Sequence, residues 1–219
     1  MINIRVANKN DREDFAELLL LSASYFPIVF GENIKNVLKK LFCHCGNLFS
    51  FEHVYFAEID QKNAAMMLSY NSNTKDKENL RTGSFLFKET GIKLLGKLSM
   101  LLKMNNTVGN MPNNSYYISN IATYPAYRGR GIAKQLMLLA ENEARIANVK
   151  IMVLDVESEN LTAINLYQKL DYKKNGKFIV PLQNGEILSF DRMIKEIKQN
   201  HSFHFYFLMP HTVLILIHK

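Results

Sequence analysis

Cysteine is scarce in this chain of 219 residues: the two present, Cys43 and Cys45, stand either side of His44. Two thiols do not complete a structural zinc site without two more ligands nearby, so no metal is expected. Alternate positions in one short segment also disfavour a bridge between them. Both read as reduced thiols, and the expected compartment is the cytoplasm. No secretory leader is expected either, since Met1-Ile-Asn-Ile-Arg5 is followed soon by acidic residues. No run is long enough for a clear membrane span. Residues 203–217 are apolar, but the stretch is short and His204, Pro210 and His211 interrupt it. That tail, residues 198–219 in all, is left without a role; an added strand pair, an oligomer contact such as a homodimer, and an idle appendage all fit it. Acidic residues fall short of basic ones, 20 against 27, leaving a formal charge of +7. Such an excess suits a polyanionic ligand, nucleic acid or a membrane surface, and is most often plain solvated surface, so it selects no partner alone. No internal repeat is visible.

What is present suffices for one sizeable core. The hydrophobic fraction is 47%, and a single domain over residues 1–197 is expected. Residues 2–7 alternate as a strand does. Asp11 opens a helix carrying Phe15, Leu18, Leu19 and Ser22 at helical spacing. A second helix over 31–43 aligns Ile34, Val37, Leu38, Leu41 and Phe42. Residues 54–59 and 64–70 read as a hairpin turning at Asp60-Gln-Lys-Asn63. Residues 71–79 are polar and read as loop. Residues 91–104 form a basic amphipathic run, a helix packed on the core or, in a sharper reading, a lid or acceptor-binding helix, or a membrane-surface helix. Residues 105–115 are Asn-rich loop. The second half is more regular: strand 116–123, helix 131–147, apolar strand 150–156, helix 161–170, and closing strands 172–181 and 187–194. Strand, helix, strand in this order makes a parallel crossover.

The most informative stretch is Tyr124-Pro-Ala-Tyr-Arg-Gly-Arg-Gly-Ile-Ala133. A strand, a short turn and then glycines opening a helix leave backbone N–H groups unpaired, and such a place holds phosphate. Gly129 and Gly131 allow close backbone approach. Read as a dinucleotide fingerprint, the turn lacks its third glycine, for Lys134 stands there. It is also separated from its strand by Tyr124-Pro-Ala-Tyr127, and too few strands follow, although Asp155 falls roughly where a ribose-binding acid would.

Arg128-Gly-Arg-Gly-Ile-Ala133 instead follows Arg-x-x-Gly-x-Ala. Downstream, Leu154-Asp-Val-Glu-Ser-Glu-Asn160 precedes Ala163-Ile164, Leu166-Tyr167, Lys169-Leu170 and Tyr172. These two signatures, in order, resemble those of the GNAT superfamily of N-acetyltransferases across residues 116–173. The resemblance implies a mixed α/β acyltransferase fold: a central, mostly antiparallel sheet with one parallel strand pair at the acetyl-CoA site, flanked by helices. It implies acetyl-CoA as donor substrate. The diphosphate would lie on Arg128, Gly129, Arg130, Gly131, Ile132 and Ala133, and the pantetheine arm would pair with the backbone of Ile121, Ala122 and Thr123. Asn160 would bond the same arm, or simply cap its helix. Tyr167 would return a proton to the departing thiolate, or merely pack on the sheet. Arg128 and Arg130 have ordinary surface charge as the alternative. One departure from the family pattern is Asp171, where glycine is usual.

An amine acceptor must lose a proton before attack. Asp155 and Glu157 share one face of their strand, and a carboxylate in an apolar strand needs a partner or a task. Asp155 is the candidate base, with Tyr117 and Asn120 able to hold a water. The expected activity is direct acetyl transfer from acetyl-CoA to a primary amine in a ternary complex, with residues 71–115 a variable insert shaping the acceptor side. The acceptor would be a small molecule or a protein amine, and no nucleic acid is expected. A non-catalytic CoA-binding or partner-binding module and an NAD-type enzyme remain the alternatives.

Overall fold

The expected mixed α/β architecture is present in the computed structural model, which describes residues 1–91, 110–182 and 184–198. One sheet is ordered β1 (Ile2–Val6), β2 (Val54–Ile59), β3 (Lys62–Asn71), β4 (Ser115–Thr123), β5 (Ile151–Glu157), β7 (Ile187–Glu196) and β6 (Lys173–Pro181). Its neighbours are antiparallel except β4 and β5, which run parallel. The hairpin turns on Asp60-Gln61 alone, both left-handed at φ 51° and 61°. That backbone matches the twist of the strands a two-residue turn joins, so Lys62 and Asn63 already belong to β3.

β3 is buried throughout residues 64–70 because helices cover both faces of the sheet. On one face lie α1 (Arg12–Ser22) and α3 (Ile34–Cys43). Their apolar stripes, Phe15, Leu18 and Leu19 with Ile34, Leu38 and Phe42, close over Phe56, Met66 and Leu68. Phe15 stacks on Phe42 at 4.4 Å between centroids. Each such buried side chain contributes about 1.5–3 kcal/mol. On the other face α5 (Ile132–Ile146) and α6 (Leu161–Lys169) set Leu136, Met137, Ala140 and Tyr167 against Ala65, Met67, Ile118, Met152 and Leu154. The α5 crossover makes β4 and β5 parallel neighbours, as parallel strands require.

Two segments differ from the sequence expectation. The polar stretch 71–79 is not a loop. It caps and begins α4 (Ser72–Thr90), where the Asn71 side-chain oxygen accepts the Thr74 N–H at 2.9 Å. Only Ser72 and Thr82 of this helix are buried, so no apolar stripe reports it. Polar contacts dock it: the Thr82 hydroxyl accepts the Leu48 N–H at 2.9 Å, and Glu78 meets His53 at 2.8 Å. A short α2 (Phe26–Phe30) with proline in its first turn also goes unforeseen. The amphipathic helix expected over 91–104 lies outside the described residues from position 92 on, as does the tail over 203–217. Of the loop expected over 105–115, residues 110–114 carry no helix or strand and Ser115 opens β4. Among the described residues no helix is long and apolar enough to cross a membrane.

Candidate active site

β4 and β5 pair from Ser115↔Ile151 to Ile118↔Leu154 and then stop. On its other edge β4 stays paired with β3 as far as Thr123. Beyond Ile118 the sheet therefore opens into a wedge, and backbone groups of β4 that point toward β5 have no strand to bond. Ile121, Ala122 and Thr123 lie on β4 beyond that point.

The turn after β4 builds a cradle at its mouth. Gly129 and Gly131 are both left-handed, at φ 77° and 76°, and a Cβ built on either meets nothing within 4 Å. Open space thus lies in front of the backbone. Gly131 is the residue before α5, and Gln135 N–H to the Gly131 carbonyl, 3.2 Å, is the first bond along that helix. The N–H groups of Ile132, Ala133 and Lys134 are left over at the positive end of a four-turn helix. Arg128 Nε donates to the Thr123 carbonyl at 3.3 Å, and Arg130 Nη2 to that of Ala126 at 3.4 Å. Arg130 also lies over the Tyr127 ring at 5.5 Å. These contacts curl both exposed side chains around the turn and leave further N–H groups to each.

The α5–α6 face supplies Tyr167. Asn160 caps α6, its side-chain oxygen accepting the Ala163 N–H at 3.1 Å. Two helical turns later Tyr167 is buried, and burial raises its phenol above the ordinary tyrosine value. The end of α6 fixes the ring. Tyr172 N–H donates to the Tyr167 carbonyl and Asp171 N–H to that of Gln168, both at 3.0 Å. This is the double closure of a helix ending on a left-handed residue. Asp171 is that residue, at φ 65°, so it adopts the backbone that glycine usually supplies here. Tyr167 and Tyr172 then meet ring to ring at 6.1 Å.

Asp155 and Tyr117 lie across the sheet from Tyr167, on the face that carries Val153 and Tyr70. Asp155 is not a free carboxylate. Arg192, its register partner on β7, donates from Nε at 2.8 Å and from Nη2 at 2.9 Å, and the Tyr117 hydroxyl donates at 3.1 Å. The Asp155 side chain is 1% exposed. Hydrogen bonding to Asp155 raises the Arg192 guanidinium further, and Arg192 lies over Phe178 at 5.6 Å. Burial, then the Asp155 charge, raises the Tyr117 phenol. Tyr70, 5.9 Å from Tyr117 between ring centroids, is pushed up to about 12 by burial. Asn120 is also engaged, donating to the Ser22 hydroxyl at 2.9 Å while accepting from Ser119 at 2.9 Å. Glu157 follows at the end of β5, half-buried, its carboxyl raised by burial and then by Glu159. Tyr25, between α1 and α2, feels the charges of Glu157 and Asp155 on top of its own burial.

The turn residues follow directly on the open end of β4, Tyr167 packs in the core on the α5–α6 face, and Asp155 is held by Arg192 and Tyr117 on the opposite face. Arg192, Tyr25 and Tyr70 escape sequence reasoning. Arg192 pairs with Asp155 only through the β5–β7 register, and Tyr25 sits in an α1–α2 connection with no periodic signal.

The family described as Acetyltransferase (GNAT) family matches residues 40–172, more than half of the chain. An uncharacterised N-acetyltransferase of Bacillus subtilis, YdgE, is 33% identical over 61 residues, which is 28% of this chain. That match spans 39% of the relative's own length. An N-acetyltransferase from Staphylococcus aureus Mu50 superposes with a TM-score of 0.65 at 22% identity, covering 88% of this chain and 100% of that one. A Bacillus subtilis acetyltransferase in complex with CoA gives 0.55 at 13% identity, covering 90% and 100%.

Proposed function

The chain belongs to the GNAT acetyltransferase family, and we propose that it moves an acetyl group from acetyl-CoA directly to a primary amine while both are bound. The observation that carries this reading is the wedge between β4 and β5 opening onto the Gly129–Gly131 turn. A diphosphate fits leftover helix N–H groups and two guanidiniums. An amide-bearing arm fits the stretch of β4 at Ile121, Ala122 and Thr123, beyond the point where β5 stops pairing with it. The donor supplies an activated acyl carbon on a sulfur leaving group. A backbone N–H on that edge would polarise the acyl oxygen.

Tyr167 is the proposed proton donor to the departing sulfur. A buried phenol with a raised pKa stays protonated at neutral pH, as an acid must. Asp155 is proposed as an anchored anion on the acceptor face, holding Arg192 and Tyr117 in place, since its oxygens are already bonded. Residues 71–115 remain the proposed acceptor-shaping segment.

The test pairs calorimetry with a thiol-release assay across a panel of amines. Arg128→Ala should weaken acetyl-CoA binding about tenfold, the loss of one charge-assisted contact of ~1.5 kcal/mol. Tyr167→Phe should lower turnover about 10²-fold with donor affinity near wild type. Equal affinity in the first variant, or an equal rate in the second with a good acceptor, removes that residue from its role. No uptake of acetyl-CoA at millimolar levels ends the reading.

A further inference from the structure

Buried carboxylates in this fold have cations. Asp155 has Arg192, Glu141 has Lys195 at 2.7 Å, Asp191 has Lys174 at 2.7 Å, and Asp11 has Arg5 at 2.7 Å. Glu157 breaks the pattern. It is half-buried, yet among the described residues its side chain has no ion pair and no hydrogen bond. Leaving an ionised group partly out of water without a partner costs stability. Its place is also particular: the last residue of β5, beyond the end of the β4–β5 pairing, two residues from Asp155 and on the same face. Tyr25, from the α1–α2 connection, is the aromatic group that senses its charge, and the two share no hydrogen bond.

Resting on the acetyl-transfer reading, we infer that Glu157 receives the protonated acceptor amine and removes its first proton, the task that the engaged Asp155 is poorly placed to perform. A half-buried carboxylate with no cation among the described residues, within electrostatic reach of an aromatic side chain, suits an ammonium group. The ammonium gives one proton to Glu157, which passes it to solvent. The neutral nitrogen attacks the acyl carbon, a C–N bond forms and the C–S bond breaks. The sulfur takes the proton of Tyr167, and the second proton of the former ammonium restores the phenol. The ammonium has lost two protons and the thiol has gained one, so one proton is released overall. The ionisable groups about Glu157 are Tyr25, Asp155 and Glu159, with Arg192 of β7 and Lys75 of α4 carrying charge further along the same face. Burial and Glu159 put the titration of Glu157 above the ordinary glutamate range, so the rate should rise with pH along a limb that this group sets.

The experiment uses Glu157→Gln in the full chain, with acetyl-CoA affinity by calorimetry and kcat/KM by thiol release. For an aliphatic primary amine at pH 7 the loss should be about 10²-fold or more, with unchanged donor affinity and the acidic limb abolished. For an acceptor already neutral at pH 7, such as an O-alkylhydroxylamine, the loss should shrink to less than about tenfold, because that proton is no longer there to remove. A Gln variant that keeps wild-type kcat/KM and pH profile overturns the assignment, as does an equal loss with both acceptors, which marks a structural role. A wild-type chain that binds acetyl-CoA but acetylates no amine overturns the transfer reading itself and this inference with it.

Discussion

Removing the Arg192 side chain exposes how much the Asp155 face of the sheet depends on one buried ion pair. Asp155 is 1% exposed and takes two guanidinium hydrogen bonds of 2.8 and 2.9 Å. Arg192→Ala leaves that carboxylate out of water without its cation, which in buried pairs costs 3–5 kcal/mol. The Arg192 side chain is itself 20% exposed, so water can follow the truncation and the low end, about 3 kcal/mol, applies. Lost stacking over Phe178 adds roughly 0.5 kcal/mol. For a domain of this size a loss of ~3.5 kcal/mol lowers Tm on the order of 10 °C. Scanning calorimetry at pH 7 reads it directly. The mechanism requires more than a lower Tm: adding Asp155→Asn to Arg192→Ala should recover part of the loss, because the buried charge deprived of its guanidinium is gone. A shift under about 2 °C, or a double variant as unstable as the sum of the singles, would refute the argument.

Two further outcomes concern the backbone and the acid limb. Asp171→Gly should raise Tm by one or two degrees, since glycine relieves a left-handed residue of about 1 kcal/mol and gives back part of it in unfolded-chain entropy; a lower Tm would mean that the aspartate does more than occupy the turn. Asp11 feels burial, which raises its pKa, but bonds from Arg5, the Asn8 N–H and Asn63 outweigh it and lower the group below the usual carboxylate range. A depressed folded pKa stabilises above the unfolded value and the contribution is lost as pH falls through the folded one. Asp11→Asn should therefore cost stability at pH 7 and show a flatter decline below about pH 4, followed by circular dichroism; an unchanged acid slope would contradict this.

Local signals were legible in the sequence and register was not. The Gly129–Gly131 turn declares itself because its chemistry lies within six consecutive residues. The stripe Ile34, Val37, Leu38, Leu41 and Phe42 reports α3 because one face meets the core. α4 stays hidden because polar contacts to Leu48 and His53 dock it, and its one local sign is Asn71, which serves a loop equally well. The pairing of Asp155 with Arg192 depends on how β5 and β7 slide past each other, a property of the assembled sheet. For the same reason Asp155 looks like a free base in the sequence, whereas Glu157, two residues on, has no cation among the described residues.

The clamp that joins Tyr167 to Tyr172 has a bearing on how this gene can drift. Asn160 fixes where the helix begins and Asp171 where it stops, so the ring's bearing follows from counting residues between two posts. One codon gained or lost inside that interval would swing the phenol by about 100° around the axis. Length variation should therefore accumulate elsewhere, in segments whose ends carry no such obligation.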